Sequence, residues 1–166
     1  MNEEEFYQYL LHRAYQLLSI RPRSEKELRD RLTAKVAKRQ AVFSKDLITR
    51  IIDKLVQAKL LDDEAFTKWL VESRMRRGKK GIRFIQRELE NFGIAREIIN
   101  QAASGHKQDE KDSALSLIDK YSWRWQKMPR RNLRLKAWQF LTGRGYNPDT
   151  IRPAVDELLK KTYNNK

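Results

Sequence analysis

The sequence predicts an all-α protein, an elongated and curved array of three tandem three-helix repeats. Apolar residues recur with a period near 3.6 along most of the 166-residue chain, and no stretch alternates as a strand would. Helix start and stop residues bound the periodic stretches. The pattern comes round three times, as expected of stacked units each too small to bury its apolar face alone.

The first unit, residues 1–60, opens with a helix from about Glu4 to Ile20. Its stripe is Leu10, Leu11, Ala14, Leu17 and Leu18, and Pro22 ends it. Ser24 with Glu27 three residues on reads as a capping box, and Leu28, Leu32 and Val36 line the helix behind it. Ser44 caps a third helix carrying Leu47, Ile48, Ile51, Ile52, Leu55 and Val56.

The second unit, residues 61–105, starts at Asp62-Asp63. Phe66, Trp69, Leu70 and the polar Ser73 follow the i, i+3, i+4, i+7 pattern, and Gly78 and Gly81 break that helix. Ile82, Ile85, Leu89 and Phe92 line the next helix, which Gly93 stops. Ile94, Ile98, Ile99 and Ala102 make a short third. GHKQDEK, Gly105 to Lys111, is the expected flexible joint.

In the third unit, residues 106–166, Ala114, Ile118, Tyr121 and Trp125 share a face, and Met128-Pro129 interrupts. Leu133, Ala137, Phe140 and Leu141 form the next stripe, ended by Gly143 and Gly145. Asn147-Pro148 starts the last helix with proline at its first position, and Ile151, Val155, Leu158 and Leu159 line it. The corresponding middle-helix leucines, Leu32, Leu89 and Leu141, lie 57 and 52 residues apart.

Lys and Arg number 36 against 22 Asp and Glu, a net charge of +14. So large a charge calls for an acidic partner, and nucleic-acid phosphate is the commonest. A membrane surface is the rival, but no apolar run approaches the roughly 18 residues a span needs. The N-terminal MNEEEFYQYLLHR is acidic first, which is wrong for a signal peptide. The absence of cysteine excludes disulfides and thiolate metal sites and fits a reducing cytosol. Mutual repulsion favours a monomer.

Little in the chain points to catalysis. Asp62-Asp63 could be an acid–base pair, but an N-cap with favourable dipole placement is the simpler reading. His12 and His106 are isolated and, without cysteine, make no ordinary zinc site. There is no phosphate-binding GxxxxGK[ST] loop and no Ser/His/Asp pattern with interpretable context. No cofactor is expected, and the protein reads as a non-enzyme.

The basic runs are the best functional signal. Arg74, Arg76, Arg77, Lys79, Lys80 and Arg83 surround the joint between the first two helices of the second unit. Arg124, Lys127, Arg130, Arg131, Arg134 and Lys136 surround the same joint in the third, and Arg21, Arg23 and Lys26 do so more sparsely in the first. Each run alone could be a solvated helix end. Their recurrence at equivalent joints favours a polyanion-facing stripe along one edge. Of the aromatics, Trp69, Tyr121 and Trp125 fall on core stripes. Trp123 and Trp138 lie off them, open to base stacking, a protein interface or packing between units.

In this order, RPRSEKELRDRL, LLDDEAF, SRMRRGKKGIRFIQRELENFGI and FLTGRGY resemble the landmarks of the RecX family of recombination regulators. The match runs from about Ala14 to Leu158; Trp123 to Asn132 matches no family pattern. The resemblance implies a crescent of three three-helix units and a cytoplasmic, non-enzymatic protein. It also implies binding to RecA-type recombinase on DNA, usually with inhibition. A stand-alone nucleic-acid-binding array is the alternative, then a scaffold for an acidic protein, and last a nuclease.

Overall fold

The computed structural model describes residues 2–38, 45–78 and 80–163, with the backbone alone at Lys45, Arg77 and Gly78. Among these residues there are nine α-helices and no strand. The helices are α1 (Glu3–Ile20), α2 (Glu25–Lys38), α3 (Lys45–Gln57), α4 (Asp63–Ser73), α5 (Ile82–Asn91), α6 (Arg96–Gly105), α7 (Lys107–Tyr121), α8 (Arg130–Thr142) and α9 (Pro148–Tyr163). A π-helical turn, Arg74–Gly78, follows α4, and a 3-10 turn, Ser122–Arg124, follows α7. No described helix is long and apolar enough to cross a membrane. Contacts gather into two compact units, Met1–Trp69 with Glu90–Ala95, and Leu70–Leu89 with Arg96–Lys166. Their boundaries fall inside α4, inside α5 and just before α6.

The first unit is built on α1, α2 and α3. Phe6, Leu10, Ala14, Leu28, Leu32, Leu47, Ile51 and Leu55 form its dry centre, with Leu17, Leu18 and Val36 half-buried around it. Val56, at the edge of the α3 stripe in its last turn, is exposed. A full capping box stands at the start of α1, where Asn2 Oδ1 accepts from Glu5 N at 2.8 Å and Glu5 Oε2 accepts from Asn2 N at 2.9 Å. At Ser24 only half the expected box forms. Its Oγ accepts from Glu27 N at 3.1 Å, but the Glu27 carboxylate turns away to Arg21, Arg23 and Arg31. A guanidinium is the stronger donor, so the charged partners win. Ser44, expected to cap α3, lies outside the described residues.

Asp62 and Asp63 open α4 as caps of two helices. Asp62 Oδ1 accepts from Glu64 N and Ala65 N at 2.8 and 3.0 Å. Asp63 Oδ1 reaches the start of α2, accepting from Glu25 N at 2.9 Å. Gly93, φ +75°, ends α5 against α2; the Lys26 stem lies so near that no Cβ would fit. Ser24 Oγ and Lys26 Nζ donate to the Phe92 and Asn91 carbonyls, and Phe66 meets Phe92 edge-on at 5.2 Å.

In the second unit α9 packs on α7 and α8. Ala114, Leu117, Ile118, Leu133, Ala137, Leu141, Ile151, Val155 and Leu158 form the core, with Tyr146 fully buried among them. Trp125 is buried as expected but is not part of the Ala114–Ile118 helix. That helix ends at Tyr121, and a 3-10 turn resets the phase, with Trp125 N bonded to Ser122 O at 2.9 Å.

The expected flexible joint at Gly105–Lys111 is corrected by the structure. Gly105 is the last residue of α6 and Lys107 the first of α7, leaving only His106 between them. The cause is Glu110, whose buried carboxylate anchors the first turn of α7. Glu110 Oε1 accepts from Ile82 N at 2.9 Å and Asn147 N at 3.4 Å; Oε2 accepts from Asn147 Nδ2 at 3.2 Å and Thr150 Oγ1 at 2.9 Å. One carboxylate thus satisfies donors at the N-termini of both α5 and α9, where the helix dipole also favours an anion.

A candidate polyanion-binding surface

The basic joint of the second unit is organised by two glycines. Gly81 N donates to Arg144 O at 2.9 Å and Arg83 N to Gly145 O at 3.0 Å. A Cβ at Gly81 would come within 2.3 Å of Tyr146 N, and Gly145, at φ +79°, lies against Phe84. Only glycine permits this approach at Gly81. The result sets Lys80–Arg83 directly beside the α8–α9 turn, Gly143–Tyr146.

The expected site residues divide by what they touch. Arg23 is only 6% exposed; its Nε donates to Leu17 O and its Nη1 to Glu27. Burial lowers its pKa, against the pull of Glu27. Arg21 also pairs with Glu27 and lies 5.6 Å over the Trp69 ring, which is half-buried. Burial alone would raise the Glu27 carboxyl, but hydrogen bonds and charge from Arg21, Arg23 and Arg31 outweigh it and hold it below the ordinary value. Arg74 is clamped on Glu88 through Nε and Nη2, a pairing that raises its pKa. These three guanidiniums serve the fold. Lys26 is exposed, with its Nζ on the Asn91 carbonyl.

Other cations reach solvent. Arg76, Arg83, Arg130, Arg131 and Lys136 are exposed, and no carboxylate pairs with them among the described residues. Lys80 Nζ sits 4.3 Å over the Phe84 ring. Arg134 is exposed but touches Asp156 at 3.3 Å. Lys79 and the Arg77 side chain lie outside the described residues.

Sequence reasoning passed over Arg144. Its Cζ stands 3.8 Å over the Phe140 ring, next to the Gly81 contact. One signal could have found it: no Asp or Glu occurs between Asp119 and Asp149, so every charge in that span is positive. Trp138 is half-buried against the second core, whereas Trp123 is 65% exposed.

Asp62 and Asp63 are occupied as caps, and no group of three His, Cys, Asp or Glu among the described residues is placed to hold a metal. His106 Nδ1 lies 2.8 Å from Asp109 in an open cleft of about 360 Å³ that Glu72, Arg76 and Ser113 also line.

Residues 11–55 match the model of the first three-helix domain of RecX, and residues 62–102 that of the second. A regulatory protein RecX from Prosthecochloris aestuarii is 32% identical over 90% of this chain and 93% of its own length. One from Clostridioides difficile is 29% identical over 95% of this chain and 71% of its own. The crystal structure of RecX from Lactobacillus salivarius superposes with a TM-score of 0.82 at 25% identity, covering 93% of this chain and 97% of that one. Helix order, matched domains and overall likeness agree: the chain belongs to the RecX family of regulatory proteins.

Proposed function

We propose that this protein is a non-enzymatic, cytoplasmic regulator of a RecA-type recombinase. It binds the recombinase–DNA filament as a monomer and damps ATP turnover and strand exchange. Membership of a family of regulatory proteins supports the regulatory part of this reading. The observation that carries the mode of binding is a set of cations at the helix joints that have no carboxylate partner among the described residues: the exposed Arg76, Arg83, Arg130, Arg131 and Lys136, with the half-buried Lys80. On a chain of net charge +14, such groups gain chiefly by displacing counterions from phosphate. Arg21 and Arg23 brace the joint of their own unit through Glu27, and Arg74 braces its joint through Glu88.

The test is co-sedimentation with recombinase filaments assembled on single-stranded DNA. Binding that saturates, and weakens steeply with added salt, supports the proposal. Equal recovery with and without filaments would remove it. A stand-alone nucleic-acid-binding array is the second reading, favoured by the acid-free span between Asp119 and Asp149. It requires the same affinity for bare DNA and indifference to the recombinase.

A further inference from the structure

Trp123 stands out among the exposed side chains. The 3-10 turn Ser122–Arg124 carries it outward, 65% exposed, while Trp125 two residues on is buried. It is not an isolated ring. Arg124 Cζ lies 5.4 Å from the Trp123 centroid and 4.8 Å from that of Tyr121. Tyr121 and Phe140 are 5.2 Å apart, and Phe140 meets Trp125 edge-on at 5.2 Å. Arg144 covers Phe140 at 3.8 Å and reaches Tyr121 at 6.0 Å. Three rings in succession, Trp125, Phe140 and Tyr121, thus lead from the core to Arg124 and the exposed Trp123, with Arg144 lying over the middle of the row. Neither Arg124 nor Arg144 has a carboxylate partner among the described residues, and the surrounding span contains no acid.

We propose that Trp123, Arg124 and the Tyr121–Phe140–Arg144 ladder form a base-stacking platform for single-stranded nucleic acid. This rests on the nucleic-acid half of the function proposed above. An exposed indole offers a flat π face, and guanidiniums held over neighbouring rings offer positive charge beside it. A polyanion whose units each carry a π face matches both, whatever its sequence. A duplex does not, because its bases already stack on one another. The buried end of the ladder holds the platform in place, so little side-chain freedom is lost on binding.

The experiment uses the full chain, without recombinase, and fluorescence anisotropy at low salt. The probes are a thymidine oligonucleotide of about 15 residues, an abasic oligonucleotide with the same number of phosphates, and a duplex. W123A is expected to bind the thymidine strand on the order of 10-fold more weakly than the parent. W123F should retain most of the affinity, and all three proteins should bind the abasic strand and the duplex alike. Because Trp123 is exposed, the circular dichroism melt of W123A should overlay the parent's. Undiminished binding of the thymidine strand by W123A overturns the proposal, as does an equal loss on the abasic strand. If W123A binds the thymidine strand like the parent but, in a separate titration, binds DNA-free recombinase more weakly, the ring is a protein anchor and the proposal fails, while the regulatory reading stands. If the parent binds neither strand, the platform and the nucleic-acid half of the function fall together. Filament ATPase then tests regulation separately.

Discussion

The Glu110 carboxylate accepts a 2.9 Å hydrogen bond from the backbone N–H of Ile82, the first residue of α5. Its other contacts hold Asn147 and Thr150 at the start of α9, so three helices of the second unit meet at one buried anion. Removing it strands several buried donors together. Glu110→Ala should cost about 3 kcal/mol or more in urea unfolding followed by circular dichroism. Glu110→Gln keeps one acceptor and sets a donor against Asn147 and Thr150, so it should fall between alanine and the parent. A loss below about 1 kcal/mol for the alanine variant would mean that solvent replaces the carboxylate.

The two glycines at the edges of α5 and α6 should behave oppositely. At Gly81 a methyl group would meet backbone atoms of Gly145 and Tyr146, which cannot swing aside as a side chain can. Gly81→Ala should cost about 3 kcal/mol and weaken DNA and filament binding with it. At Gly105 an added Cβ meets nothing within 4 Å, and alanine is the better helix former. Gly105→Ala should be neutral or add up to about 1 kcal/mol. Thermal midpoints of the two variants relative to the parent check both signs.

The paired aspartates separate by charge. Asp62→Ala removes two capping bonds and should cost about 1 kcal/mol. Burial and then the neighbouring Asp62 raise the Asp63 carboxyl, against its bond from Glu25 N; burial and then Asp63 raise that of Glu25. Asparagine still accepts from Glu25 N but carries no charge, so Asp63→Asn should leave stability at pH 7 unchanged or higher.

The pH dependence follows from the same groups. Asp63 and Glu25 have folded pKa values above their unfolded ones, so the folded state binds protons more readily. Stability should rise as the pH falls from neutral through those raised values, and stop rising at the unfolded ones. Glu27 is depressed, so its contribution is present above its unfolded value and lost as the pH falls through the folded one. Urea midpoints from neutral to about pH 3 should therefore pass through a maximum in mild acid. Asp63→Asn should flatten the rise, and Glu27→Gln the acid-side fall.

Much of the fold was legible because helical periodicity and caps are local. Leu10, Leu32, Leu89 and Leu141 are buried where the stripes put them, and Gly93 stops α5. Glu110 was illegible because nothing in KQDEKD marks one acid as buried; two helix N-termini from elsewhere in the chain do that. By sequence Arg74 and Arg76 look alike, yet one is clamped on Glu88 and the other faces solvent. The apolar stripe separates the buried Trp125 from the exposed Trp123, but nothing in it marks the 3-10 turn that ends the helix between Tyr121 and Trp125.

On the proposed function, cations at the helix joints bring this protein onto a recombinase filament and slow it. The direct measurement is filament ATPase on single-stranded DNA, titrated with the parent, with R76E/K80E/R83E and with K160E/K161E. Lys161 already pairs with Asp119 and Glu157 at the far end of α9, so the last variant controls for lost charge alone. Strong inhibition by the parent is expected, with inhibition weakened by at least about 10-fold in the joint variant and a near-parental control. No inhibition by the parent at several-fold excess, or equal losses in the two variants, would contradict the proposed function.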